Sequence, residues 1–181
     1  RALLNRFPGL ATVLARADLG VRESPIERWQ VGGAILFAKR DDLSAPSLGG
    51  NKVRALELLL AGASPEHGLL TVGATGSTHA LAVAQHGASL GRRTTVITWP
   101  QERHAVADAT AARLRSMAHV VPARSVAEAY LRATLRRLAG GMHWVPAGGS
   151  TPLGALGHVS AALELADQLA RDGYPAPDAL V

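Results

Sequence analysis

The chain has no cysteine, which excludes disulfides and thiolate zinc sites from the outset. Aromatic residues make up only 4% of its 181 residues, so the core must be built mainly from Ala, Leu and Val. The aromatic interleaving of single-strand nucleic-acid binders is missing as well. No apolar run reaches the roughly 18–20 residues that span a bilayer. The opening residues, which begin at Arg1 rather than Met, show no basic-then-apolar leader pattern. These absences point to a cytoplasmic protein with no membrane partner.

What is present is ordinary for a globular domain: 48% hydrophobic and 18% charged residues, in a chain long enough for one real core. A net charge of +5 and a sequence pI near 10.7 raise the question of nucleic acid. The basic residues form no single tract, however. Arg92-Arg93 precedes a strand, and Arg132, Arg136 and Arg137 share a helix with an apolar face, which reads as a solvated helix surface. No nucleic-acid partner is expected.

Taken in order, residues 1–30 read as an entry segment punctuated by Pro8-Gly9 and Ser24-Pro25, with a short helix over 11–17. The run 34–38 suits a strand. A regular alternation follows: helix 50–61, strand 69–72, helix 78–90, strand 94–98, helix 105–117, strand 120–121, helix 126–138, strand 143–145 and helix 156–170. A further strand is expected to start at 179–181, as if another βα unit were beginning. Short strands alternating with helices of about a dozen residues predict an α/β fold with a parallel sheet and crossover helices. Its open sheet edges and the unfinished last strand would make residues 1–181 aggregation-prone in isolation.

One stretch organises the rest: Ser47-Leu48-Gly49-Gly50-Asn51-Lys52-Val53-Arg54-Ala55-Leu56-Glu57. Leu56, Leu59 and Leu60 fall on one buried helix face, which places Lys52 in the first helical turn behind a permissive glycine loop. A lysine there can be partly desolvated and act as an amine nucleophile that forms a Schiff base. Spacing alone equally allows an ordinary solvated lysine, although cations are mildly disfavoured at a helix N-terminus. A second glycine turn, Gly73-Ala74-Thr75-Gly76-Ser77-Thr78-His79, links a strand to a helix start. It can receive an anion, or Ser77 or Thr78 can simply cap the helix. A third, Pro146-Ala147-Gly148-Gly149-Ser150-Thr151-Pro152-Leu153-Gly154, repeats the strand-to-helix pattern. His79 and His86 share a helix face but make no metal motif, and a structural or solvated role suits them. Trp29, Trp99 and Trp144 read as scattered packing residues.

Lys39-Arg40-Asp41-Asp42-Leu43 followed by Gly49-Gly50-Asn51-Lys52-Val53-Arg54 resembles the signature of the 1-aminocyclopropane-1-carboxylate deaminase and D-cysteine desulfhydrase family. These are pyridoxal-phosphate enzymes of the tryptophan-synthase-β-like fold type II. The second and third glycine turns resemble that family's Ser-Asn-His and Gly-Gly-Ser-Ser-Pro-Leu-Gly motifs in the right order. The resemblance implies pyridoxal 5'-phosphate as cofactor, bound through Lys52 and contacted by Asn51 and Thr78. It implies a catalytic role for Ser77 beside Lys52, and a substrate site made by Ser77, Thr78, His79 and Gly149. Two positions depart from the pattern. Thr78 stands where the family has Asn, and Ala55 stands where it has a second lysine that helps to hold the cofactor phosphate. A charge-assisted contact of that kind is worth about 1.5–3 kcal/mol, and Arg54 would have to reach around the helix to replace it.

The implied protein is the N-terminal half of a two-domain enzyme, a homodimer, with residues 1–50 in the large domain, 51–147 a small mobile α/β domain, and 148–181 returning to the large domain. Its expected reaction is β-elimination of a small amino acid in the manner of D-cysteine desulfhydrase, or ring opening of 1-aminocyclopropane-1-carboxylate, with this half alone inactive. A divergent non-catalytic homologue serving as a binding module is the alternative.

Overall fold

The structure is a computed structural model and describes residues 2–175 and 177–179. Helix α1 (Ala2–Arg6) and a 3-10 turn at Pro8–Thr12 lead into a hairpin of β1 (Ile26–Val31) and β2 (Ala34–Lys39). Helix α2 (Asn51–Leu59) follows, and then β3 (Gly68–Ala74), α3 (Thr78–Ser89), β4 (Thr94–Trp99), α4 (Ala105–Met117), β5 (His119–Pro122), α5 (Val126–Leu138), β6 (Met142–Trp144) and α6 (Pro152–Asp172).

Strands β3 to β6 form one parallel sheet in the order β5-β4-β3-β6. The chain starts at β3, steps outward twice, then returns to the other side of β3. Helices α3 and α4 pack together on one face, while α5 lies across β3, β4 and β6 on the other. That layering explains the composition of β3 and β4, which are covered on both faces and buried along most of their length. Helix α2 sits between α3 and α6, and seven of its nine residues are buried. The predicted leucine face is among them, with Leu56 and Leu60 nearly inaccessible. Each crossover helix begins on a side-chain cap: Ser77 for α3, His104 for α4, Ser125 for α5 and Thr151 for α6.

The predicted α/β alternation matches the structure element by element from residue 34 to α6, while several finer points differ from the sequence pattern. The α-helix expected over 11–17 is absent: α1 precedes it, the 3-10 turn Pro8–Thr12 covers only its first two residues, and the chain is irregular beyond Val13. Strand β1 was not anticipated. It pairs with β2 through Gly32-Gly33, whose φ values of 56° and 85° are those a two-residue hairpin turn needs. Helix α5 presents its leucines outward, because Ala129 and Ala133 make the sheet contact while Leu131, Leu135 and Leu138 are exposed. Trp29 is not a packing residue but half-exposed on the hairpin, whereas Trp99 and Trp144 flank Tyr130, each at a ring separation of 6.4 Å. Of the strand expected at 179–181, Ala179 is irregular, and Leu180 and Val181 lie outside the described residues.

Candidate active site

In an open parallel sheet, ligands gather beyond the carboxyl ends of the strands where the strand order reverses. Here the reversal falls between β3 and β6. The loop from β3 into α3 carries Ser77, Thr78 and His79, and the loop from β6 into α6 carries Gly148 and Gly149. The two meet over the first turns of α2. Gly149 is buried with φ at 70°, and a Cβ placed on it would come within 3.4 Å of Ala55 Cβ and Leu59 Cδ1, and within 3.8 Å of His79 Cε1. All three glycine motifs therefore converge on one place. A side chain at Gly149 would fill the space between α2 and α3.

Lys52 lies in the first turn of α2, half-buried, behind Gly50 at φ 111°. Among the described residues it has no hydrogen-bond or ion-pair partner, and Asn51 beside it is exposed. Ser77 caps α3, its Oγ accepting the Ala80 backbone N–H at 3.2 Å, so the capping role left open by the sequence is filled by Ser77. Gly73 makes room for it, since a Cβ at that position would lie 2.7 Å from Ser77 Cβ and Oγ. Thr78 is the first residue of α3 and is exposed.

His79 is 4% exposed. Its Nε2 shares a hydrogen bond at 3.4 Å with Thr71 Oγ1, and Nδ1 has no hydrogen-bond partner. Burial, reinforced by the charge of Lys52, drives its pKa down to about 4, with the Pro146 carbonyl a weaker opposing influence. The imidazole is therefore neutral at physiological pH. The arrangement joins an uncommitted amine, a neutral buried imidazole and the amide-rich N-terminus of α3, where an anion is stabilised. His86, one face further along α3, is bonded through Nε2 to the Leu48 carbonyl at 2.9 Å and is structural.

The other half of the lysine motif has a different task. Arg54, 4% exposed, forks onto Asp41 at 2.7 and 2.9 Å and onto Glu164 at 2.9 and 3.2 Å. Lys39 Nζ donates to Glu164 at 2.6 Å, to Gln168 at 2.6 Å and to the Ser24 carbonyl at 2.9 Å. Burial works to raise the Asp41 and Glu164 carboxyls. Hydrogen bonds from Arg54, with Ser24 helping at Asp41 and Lys39 at Glu164, outweigh it and hold both below their ordinary range. Arg54 is thus fully engaged and does not reach around to the position vacated at Ala55, which is itself buried beneath Gly149. Sequence reasoning had not assigned Lys39, Asp41 and Glu164 to this network. The signal for the first two was the charge run Lys39-Arg40-Asp41-Asp42 ahead of the lysine motif; for Glu164, in a long amphipathic helix, there was none.

A parallel α/β sheet with a lysine and anion-binding glycine turns at its switch point defines a class of cofactor-binding enzyme folds. Within that class, residues 18–181 match the model of the pyridoxal-phosphate dependent enzyme family, and the chain belongs to that family. It is 38% identical over 153 residues to a protein named Nocardicin C-9' epimerase from Nocardia uniformis subsp. tsuyamanensis, covering 78% of this chain and 46% of that protein. It is 33% identical over 172 residues to a D-cysteine desulfhydrase from Serratia proteamaculans (strain 568), covering 86% and 52%. Among solved structures, that of an ACC deaminase homologue superimposes with a TM-score of 0.71 at 29% identity, over 92% of this chain and 53% of that one. The chain spans about half the length of the relatives it matches. The resemblance read from the three motifs holds.

The residues present fit pyridoxal phosphate. An amine without a competing carboxylate at the switch point of the sheet would supply the anchor for the cofactor's aldehyde. No helix among the described residues is long and apolar enough to cross a membrane.

Proposed function

We propose that the protein is a pyridoxal-phosphate-dependent lyase or deaminase of a small amino acid, with D-cysteine-type β-elimination the first choice and opening of 1-aminocyclopropane-1-carboxylate the second. The observation that carries this reading is the unpaired Lys52 beside neutral His79 under Gly149, in a chain of this family. When bound, the cofactor supplies an electron sink for the pair released at the substrate Cα. Lys52 would hold the cofactor through its amine and, in the β-elimination, would take the Cα proton; 1-aminocyclopropane-1-carboxylate has no Cα proton, so in ring opening Lys52 would act on a ring methylene proton instead. Ser77 and the first turn of α3 receive the substrate carboxylate. Asn51 and Thr78, exposed at the starts of α2 and α3, would contact the cofactor, and His79, held neutral, adds no positive charge that would keep a proton from Lys52. The homodimer, the cytoplasmic location and the division at residues 51–147 belong to the same proposal.

The test is the absorption spectrum of the purified protein with pyridoxal phosphate, before and after borohydride, with Lys52→Ala as control. A band at roughly 410–420 nm that Lys52→Ala lacks, and a reduced adduct mapped to Lys52, support the reading. Their absence from the intact protein sinks it and leaves a non-catalytic homologue.

The relative named an epimerase, at 38% identity, favours a second reading in which the Cα proton is removed and returned on the opposite face. Incubation of amino acids in deuterated water separates the two. Elimination or deamination releases ammonia and a 2-oxo acid; epimerisation exchanges the Cα proton and releases neither.

A further inference from the structure

We propose that Asp41 is the positioning residue for Lys52, clamping the first turn of α2 from both sides of it. On the N-terminal side the Asp41 carbonyl accepts the backbone N–H of Gly50 and also that of Ser44. On the C-terminal side its carboxylate takes the fork of Arg54 through both oxygens at 2.7 and 2.9 Å. Gly50 and Arg54 bracket Lys52 within a single turn, so one residue from outside the helix holds either end of the segment that carries the amine. This inference rests on the reading of Lys52 given above and adds to it the part that fixes the lysine in place.

The clamp is itself anchored. Ser24 Oγ donates to Asp41 Oδ1 at 2.7 Å, and Arg54 passes the restraint on to Glu164 in α6, where Lys39 also binds. A Cβ on Gly49 would overlap the carbonyls of Asp41 and Asp42, so only glycine lets the turn at Asp41–Leu43 lie against the start of α2. Lys39 and Arg54 balance Asp41 and Glu164 in charge. No carboxylate of this network is therefore left over to draw in the Lys52 ammonium. Asp41 keeps Lys52 in position, while Arg54 and Lys39 occupy the carboxylates that could otherwise pair with it.

The experiment uses the protein without added cofactor, in three forms: unaltered, Asp41→Ala and Asp41→Asn. Amide hydrogen exchange is followed over α2 and over β3 and β4, and the pH dependence of Lys52 acylation by acetic anhydride is mapped by mass spectrometry. Asp41→Ala should speed exchange over residues 51–55 by roughly tenfold or more while β3 and β4 keep their protection. It should also change the rate of Lys52 acylation across the pH range, because the amine is no longer held in one place. Both variants keep the backbone carbonyl that holds Gly50; Asp41→Asn also keeps one side-chain acceptor for Arg54, and should recover most of the exchange protection. Unchanged exchange over 51–55 in Asp41→Ala overturns the proposal. So does a rise shared equally by β3 and β4, which would make Asp41 a general stabiliser and nothing more. Failure of the functional reading shows separately, as a missing borohydride adduct in the unaltered protein, and leaves these two measurements able to decide.

Discussion

Two basic side chains two residues apart in α2 meet opposite fates. Arg54 faces α6 and is buried in a network in which two cations answer two carboxylates. Lys52 faces the sheet's switch point and has no partner among the described residues. Burial of Arg54 costs desolvation that only its full set of hydrogen bonds offsets. Lys52 is left half-exposed, so its lack of a partner is inexpensive and its amine stays free for chemistry. One motif thus divides into a fixing half and, on the proposed function, a reacting half, separated by the direction in which successive helical residues point.

The sharpest way to break this contrast is Arg54→Met. It leaves the buried Glu164 and the part-exposed Asp41 without their main partner, and should cost about 3–5 kcal/mol of stability. Urea denaturation at neutral pH measures it. Lys52→Met in the same assay should change stability by about 0.5 kcal/mol or less, as for a surface position. Comparable losses for the two would erase the distinction.

The reacting half was far more legible in the sequence than the fixing half. Lys52, Ser77 and His79 sit in short local motifs whose glycines and helix starts can be read along the chain, and the structure brings them to one place. The network joins Lys39, Asp41, Arg54 and Glu164 across more than a hundred residues. Pairings at that range leave no periodic trace. Helix α5 misled for a related reason: the pattern gives an apolar face, and only packing decides that two alanines rather than the leucines meet the sheet. The hairpin at Gly32-Gly33 was readable and was missed, because β1 mixes Glu27, Arg28 and Gln30 among its apolar residues and both faces are largely exposed.

Acid should separate the two regions by pH. The folded pKa of His79, about 4 against an ordinary 6.5, means the fold favours the neutral ring. Its contribution is therefore complete above pH 6.5 and is lost as pH falls from 6.5 to 4, by about 3 kcal/mol in total. His86, lowered chiefly by burial, acts in the same direction. Asp41 and Glu164, held below their ordinary range, contribute above the unfolded carboxylate pKa and lose that contribution only at lower pH. Denaturation between pH 7 and 4.5 should weaken the protein steadily, and His79→Gln should flatten part of that slope. A slope unchanged by His79→Gln would mean that the imidazole is not buried as described.

Gly149→Ala tests the space between the three motifs. Its φ of 70° costs an L-residue about 1–2 kcal/mol, and the added methyl would approach Ala55 and Leu59 at 3.4 Å. Thermal stability should fall by that amount, and pyridoxal phosphate affinity should fall by more than the same change at Gly173 produces. Gly173 has φ 69° as well, but nothing lies within 4 Å of its Cβ position, so it supplies the backbone strain without the added contacts to α2 and His79. Equal effects at the two glycines would show that the room under Gly149 is not used.

The smallest expected change distinguishes the two roles of Ser77. As a cap its Oγ accepts the Ala80 N–H, and Ser77→Ala should cost about 1 kcal/mol, with Ser77→Gly costing only a few tenths. Stability alone would then rank alanine below glycine. Substrate binding should rank them differently, because neither variant has a hydroxyl and both lose the same contact to the carboxylate. Amino-acid affinity that falls equally in the two variants, while their melting temperatures differ, marks a side chain that serves the helix through a lone pair and the ligand through its proton. Affinity that follows stability reduces Ser77 to a cap and leaves carboxylate recognition to the backbone amides of the α3 turn.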